Sequence, residues 1–181
     1  MEYTTIESEV VFQGKVFNIR VDKVQKIDGQ RMRVDVVEHG GAVVIVPLIN
    51  DSHIRFVDQY RYPTGRRLLE LPAGTLDPGE DPEVCAIREC REEIGMSPAR
   101  LTHLGELYLA PGYSTECIQV FLAQDLSAAP LAQDADEDII VRQFSISNIR
   151  EMISKGEFHD SKTLAGLFLT FQYLGTFAWQ E

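Results

Sequence analysis

From Arg88 to Gly95 the chain reads RECREEIG, and Glu89, Glu92 and Glu93 place three carboxylates within five residues. At spacings of i, i+3 and i+4 these side chains share one face of a helix, where like charges repel. Hydration of an exposed face can relieve that repulsion, and so can a bound cation. Oxygen ligands clustered in this way suit a hard divalent ion, Mg2+ or Mn2+. Arg88 stands directly before the first glutamate, where its guanidinium can pair with a carboxylate and hold it in position.

The flanking residues predict the element that carries these groups. Asp81 suits a helix N-cap, Pro82 the first helical position and Gly95 the C-terminal cap, so a helix is expected from Pro82 to Ile94. On that helix Ala86, Ile87, Cys90 and Ile94 share an apolar arc of about 100°, and the three glutamates occupy a separate arc. The preceding GTLDPGE supplies two glycines and a proline for a tight loop.

The whole stretch from Gly74 to Met96, GTLDPGEDPEVCAIRECREEIGM, has the form G-x5-E-x7-R-E-U-x-E-E-x-G-U with U apolar. It resembles the Nudix box, with Gly74, Glu80, Arg88, Glu89, Glu92, Glu93 and Gly95 at the fixed positions and Cys90 and Met96 at the apolar ones. The resemblance implies hydrolysis of a nucleoside diphosphate linked to another group. It also implies that Glu89, Glu92 and Glu93 bind or position Mg2+, with Mn2+ as a substitute. The backbone carbonyl of Ala73 would complete the metal shell, Arg88 would orient a glutamate, and Glu80 would support the loop and helix.

Pro111, fifteen residues after Met96 in LAPGYSTE, resembles the loop proline of ADP-ribose pyrophosphatases. VDQYRYPTGRRLLELPAG, the N-terminal VFQGKVFNIRVDKVQ with DVVEHGGAVVIVPL, and HDSKTLAGLFLTFQYL with its D-x-K-T are similar to the same group. Relatives that hydrolyse GDP-mannose share these features, DEDI and D-x-K-T included. The resemblance therefore implies a Mg-dependent pyrophosphatase acting on ADP-ribose or a related nucleoside diphosphate sugar, releasing NMP and sugar phosphate. Its rivals are a GDP-mannose hydrolase, a nucleotide-pool sanitising NTP pyrophosphatase and a non-catalytic ligand sensor.

In such a site Arg61 contacts the diphosphate, or is an ordinary strand arginine, and Glu70 is a substrate contact or an ion-pair partner. The expected general base is Glu137 in the acidic stretch DADEDII, with Glu116, after Pro111, as a second acid; Glu92 and Arg88 complete the catalytic set. The family often carries a glutamate two positions before Glu137, where this chain has Ala135.

The chain has 181 residues, 44% of them hydrophobic and 25% charged, enough for one full core. A net charge of −11 disfavours nucleic acid and anionic membrane as main partners. It does not exclude phosphate ligands, since a divalent metal reverses the local sign. MEYTTIESEV has the character of no secretory leader, no apolar run reaches membrane-spanning length, and three cysteines match no zinc spacing. A cytoplasmic protein is expected.

Residues 1–40 alternate apolar and polar positions around a turn at Asp28-Gly29, a β-hairpin. GAVVIVPLI reads as a buried strand, IRFVDQYRY, RLLELPAG, LTHLGELYLAP, TECIQVFLAQDL and DIIVRQFSI as further strands, and Ser147–Lys155 and Ser161–Ala178 as helices. Strands and helices mix without strict alternation, so an α+β fold with a mixed sheet is expected. The resemblance implies the Nudix α/β/α sandwich over residues 41–181, with residues 1–40 as a small antiparallel β domain. Such a β piece cannot bury Val10, Val16, Phe17, Ile19, Val21 and Val24 alone. Relatives of the group form homodimers in which this piece exchanges between subunits and helps build the partner's substrate site, so a homodimer swapped through residues 1–40 is expected, with Arg20 or Arg33 reaching the partner's substrate.

Overall fold

The structure, a computed structural model, describes residues 2–132 and 138–176. The chain divides into two compact units. One runs through Gly41 and includes Tyr108–Cys117; the other holds Ala42–Leu107 and the chain from Ile118 onward.

The first unit is an antiparallel sheet of β1 (Tyr3–Gln13), β2 (Phe17–Lys26) and β3 (Arg31–His39), in that order. The β2–β3 hairpin turns at Asp28-Gly29. Gly29 has φ 86°, its amide donates to the Lys26 carbonyl, and Asp28 Oδ1 accepts from the Gln30 amide. The predicted hairpin gains a third strand, because VFQGK closes β1 before β2 begins. Register shifts between Thr5 and Glu7 and between Val10 and Phe12 bend β1. The loop after Tyr108 joins this sheet: the Val37 amide donates to the Tyr113 carbonyl and the Thr115 amide to the Val37 carbonyl, at 2.7 and 3.0 Å.

The second unit is built on a mixed sheet of order β10-β5-β4-β9-β8. Its strands are β4 (Ala42–Ile49), β5 (His53–Arg61), β8 (Met96–Tyr108), β9 (Cys117–Ala128) and β10 (Ile139–Ser145). β4 and β9 are parallel, from Ala42↔Ile118 to Pro47↔Ala123, and β5 is antiparallel to β4 and β10. Two short strands branch off: β6 (Arg66–Glu70) pairs with β5, and β7 (Ala73–Thr75) with β4. RLLELPAG thus splits in two at Leu71-Pro72, where proline lacks the amide a ladder requires.

The helices are α1 (Pro82–Glu93), α2 (Ile146–Ser154) and α3 (Ser161–Tyr173). β4 is buried on both faces, as its unbroken apolar run requires. Val43 and Ile45 pack with Cys85, Ala86, Cys90 and Ile94 of the α1 segment. On the opposite face α3 approaches so closely that a Cβ at Gly166 would lie 2.8 Å from Leu71 Cδ1 and 3.5 Å from Val46 Cγ2. Helix, sheet and helix form the sandwich.

Two details of α1 differ from the sequence reading. The buried stripe contains Cys85 rather than Ile87, which is half-buried, and the arc of glutamates is itself partly buried, with Glu89 and Glu93 at 7% and 2% exposure. α2 and α3 begin at caps Ser145 and Asp160. α3 stops at Tyr173, with Gly175 at φ 63°, short of the expected Ala178, which lies outside the described residues. No helix among the described residues is long and apolar enough to cross a membrane.

Candidate active site

The site grows from α1 outward. Asp81 caps the helix by accepting from the Glu83 and Val84 amides, Pro82 opens it, and Gly95 follows its end at φ 70°. These local signals set the phase of the helix and turn Glu89 and Glu93 toward β7. Gly74 of β7 is required by contact: a Cβ there would lie 1.8 Å from Glu89 Oε1 and 2.5 Å from Glu89 Cγ.

Arg88 is the hub. Its Nε and Nη2 donate to the two oxygens of Glu80, each at 3.0 Å, and its Nη1 donates to Glu89 Oε1 at 2.6 Å and Glu92 Oε2 at 3.0 Å. The hydrogen bond from Arg88 pulls the Glu80 carboxyl down to about 2, and the bond to Glu80 drives the guanidinium well above its ordinary value. Glu80 Oε2 also accepts from the Asp77 amide at 3.0 Å, closing the loop. Glu93 is gripped from the other side: its Oε2 accepts from the Ala73 amide at 3.0 Å.

Four carboxylates (Glu80, Glu89, Glu92, Glu93) and one guanidinium (Arg88) leave a formal charge of −4 + 1 = −3. Two of these carboxylates are buried, where charge is costly without compensation. Among the described residues no three acidic, histidine or cysteine side chains converge closely enough to hold a metal in this conformation, with Glu89 and Glu92 both drawn to Arg88. The donors nonetheless fit a divalent cation in kind and in charge, being hard oxygens with a local excess of negative charge.

A second cluster lies across the 70–73 segment. Arg61, at the end of β5, donates from Nε and Nη2 to the two oxygens of Glu70, both at 2.8 Å. Glu70 is 1% exposed and also accepts from Lys162. It is thus an ion-pair partner. Burial pushes its carboxyl up, but the bonds from Arg61 and Lys162 outweigh this and hold it below its ordinary value. Arg61 is raised, chiefly by the hydrogen bond with Glu70, and feels the charge of Glu93 as well. The two clusters are therefore electrostatically coupled.

Of the remaining expected residues, Arg20, Arg33, Pro111 and Glu116 belong to the first unit. Arg20 of β2 donates to Asp22 at 3.0 Å and to Glu38 at 2.6 Å, and exposed Arg33 pairs with Asp35. Pro111 is exposed in the loop of the first unit, and the half-buried Glu116 caps back through its amide onto Ser114 Oγ. Glu137 lies outside the described residues, as does Ala135. On either side of that stretch, the Leu131 amide bonds to the Arg91 carbonyl on α1 and Asp138 pairs with Arg67 at 2.6 Å. Sequence reasoning assigned no role to Lys162, Asp160 or Thr163. Their only signal was D-x-K-T at a helix start, which does not say what the lysine touches.

The NUDIX domain family model matches residues 38–166. The chain belongs to the Nudix family of hydrolases. This Nudix chain is 38% identical over 169 residues to an ADP-ribose pyrophosphatase of Mycobacterium tuberculosis (strain ATCC 25618 / H37Rv), covering 92% of this chain and 82% of that one. It is 34% identical over 165 residues to an ADP-ribose pyrophosphatase of Bacillus subtilis (strain 168), covering 90% and 89%. A crystal structure of an ADP compounds hydrolase superposes with a TM-score of 0.86 at 26% identity, over 97% of this Nudix hydrolase and 95% of that chain.

Proposed function

We propose that this Nudix hydrolase cleaves the pyrophosphate bond of ADP-ribose or a related nucleoside diphosphate sugar, giving NMP and sugar phosphate. One observation carries the reading: the buried Glu89 and Glu93 are held from opposite sides by Arg88 and the Ala73 amide, with Arg61 within electrostatic reach of Glu93. A cluster of net charge −3 repels a diphosphate unless a cation lies between them. Glu89, Glu92, Glu93 and the Ala73 carbonyl are the groups to hold Mg2+, or Mn2+ in its place, which neutralises phosphate oxygens and makes bound water more acidic.

The chain's own residues do the rest. Arg61 binds the diphosphate as a planar donor and sets its angle, since Glu70 already holds one edge of the guanidinium. Arg88 keeps the α1 carboxylates spaced and the Glu80 loop closed. Glu137 takes the proton from the attacking water, with Glu116 as the alternative base. Most of the acceleration is positional and electrostatic.

The protein works as a homodimer in this reading. All eleven residues of β1 are exposed, and Val10, Val11, Phe12, Val16 and Phe17 stand 41–57% exposed, whereas the single chain already buries Val24 and half-buries Ile19 and Val21. A second copy of the chain covers the exposed side chains, with Arg20 or Arg33 offered to the partner's substrate. Light scattering should give twice the 20.4 kDa chain mass; a monomer at micromolar concentration sinks this part.

The decisive assay is a panel of ADP-ribose, GDP-mannose and NTPs with Mg2+ or Mn2+, followed by product chromatography. AMP and ribose 5-phosphate from ADP-ribose support the reading. A preference for GDP-mannose moves the substrate, and NMP with pyrophosphate from NTPs overturns it. Glu93→Gln should lower kcat by at least about 100-fold, roughly 2.7 kcal/mol of barrier, and wild-type turnover in that variant would refute the metal assignment.

A further inference from the structure

We infer that the N-terminal cap of α3, Asp160 with Lys162 and Thr163, positions the substrate side of the site: Lys162 holds Glu70, and Glu70 holds Arg61. The inference rests on the reading that Arg61 contacts the diphosphate. Four consecutive residues carry the connection. Glu70 is bonded by Arg61 and Lys162, the Leu71 amide donates to Thr163 Oγ1 at 2.8 Å, the Pro72 carbonyl accepts from the Ile45 amide at 2.8 Å, and the Ala73 amide donates to Glu93. One short segment thus joins α3, the diphosphate clamp, the central strand and the acidic helix.

The cap is over-determined in a way an ordinary helix start is not. Asp160 Oδ2 accepts from the Thr163 amide at 3.0 Å, from Thr163 Oγ1 at 2.6 Å and from Lys162 Nζ at 3.0 Å. A capping aspartate needs only the first of these bonds. The others aim Lys162, 11% exposed along its side chain, at Glu70, and turn Thr163 Oγ1 so that it can accept from Leu71. Arg61, Lys162, Glu70 and Asp160 sum to zero charge, two cations against two anions. Removing Lys162 leaves that sum at −1 and leaves Glu70 leaning on Arg61 alone. The loss reaches the diphosphate through the position of the Arg61 guanidinium. Lys162 touches no reacting atom in this account and is a positioning residue.

The test is a double-mutant cycle between Lys162→Met and Arg61→Ala, with ADP-ribose and Mg2+ as the probe. Thermal midpoints are measured alongside, together with the Kd of a non-hydrolysable methylene analogue of ADP-ribose. Lys162→Met should lower kcat/KM about tenfold, mostly through KM, and raise the analogue's Kd by a similar factor. In the Arg61→Ala background the same change should cost less than about twofold, since the two residues act through one contact. The double variant Glu70→Gln with Lys162→Met removes both charges and guards against simple unfolding. It should recover the thermal midpoint yet keep the raised KM. Equal losses from Lys162→Met in both backgrounds overturn the inference, as does recovery of KM with stability in the neutral pair. If Arg61→Ala alone leaves kcat/KM and Kd unchanged, the reading of Arg61 itself fails, an outcome visible before Lys162 enters the cycle.

Discussion

Gly74→Ala adds one methyl group, and the structure says where it goes. The new Cβ would stand 1.8 Å from Glu89 Oε1, 1.9 Å from Glu89 Cδ and 2.5 Å from Glu89 Cγ, all inside van der Waals contact. Because Cγ is involved, rotating the carboxylate end does not suffice and the side chain must change rotamer. It then gives up the 2.6 Å bond from Arg88, a charge-assisted hydrogen bond of about 1.5–3 kcal/mol. Spread over a chain of this size, such a loss lowers the thermal midpoint by roughly 3–12 °C. The fold survives, since the core packing of α1 through Cys85, Ala86 and Cys90 is untouched.

Activity should suffer far more than stability. Displacing Glu89 removes an oxygen donor from the acidic cluster, so kcat should fall at least about 100-fold. That places Gly74→Ala beside Glu89→Gln, and the double variant should be no worse than about twofold below either single. The assay is steady-state hydrolysis of ADP-ribose at saturating Mg2+, with circular dichroism and a melting curve on the same samples. Near-normal kcat in a folded Gly74→Ala enzyme would falsify the reasoning, because Glu89 would then be dispensable where it stands. Additive losses in the double variant would show that the glycine acts through something other than Glu89.

Two further perturbations probe the electrostatics. The depressed Glu80 carboxyl contributes stability that is complete above its ordinary value of 4.5 and is lost as pH falls toward about 2. Screened by solvent at this partly open site, that is about 1 kcal/mol. Denaturant titrations of metal-free protein at pH 7 and pH 3 should therefore show a smaller loss on acidification for Glu80→Gln than for wild type, and identical losses would remove Glu80 as the source. Burial pushes the Cys85 and Cys90 thiols up to about 12, so both should resist a thiol reagent at pH 8 until the protein is unfolded. Peptide mapping that finds either one labelled in the folded enzyme would contradict their placement.

The acidic helix was legible because everything that defines it is local. Asp81, Pro82 and Gly95 set its ends, the box spacing sets its phase, and Arg88 reaches its carboxylate partners within eight residues of its own position. The phase error, Ile87 for Cys85, has a physical cause. An apolar arc read from hydrophobicity alone favours Ile87, whereas Cys85 is the side chain that packs with Val43 and Ile45 of β4. The split at Pro72 was equally a matter of what is counted, since RLLELPAG reads as one strand by its leucines yet proline cannot extend the ladder. The substrate side behaved differently. Glu70 could not be assigned from sequence because its partners sit 9 and 92 residues away, and neither separation follows a helix or strand period. D-x-K-T reads as a helix start and a family resemblance, with no contact assigned, until α3 is laid on the sheet. Only then does the Asp160 cap meet Leu71, and only then does Lys162 meet the one buried glutamate that Arg61 also needs. A motif thus reports its chemistry through spacing when one helix carries every group. Once two elements must meet, the packing of Gly166 against Leu71 decides what the same letters do.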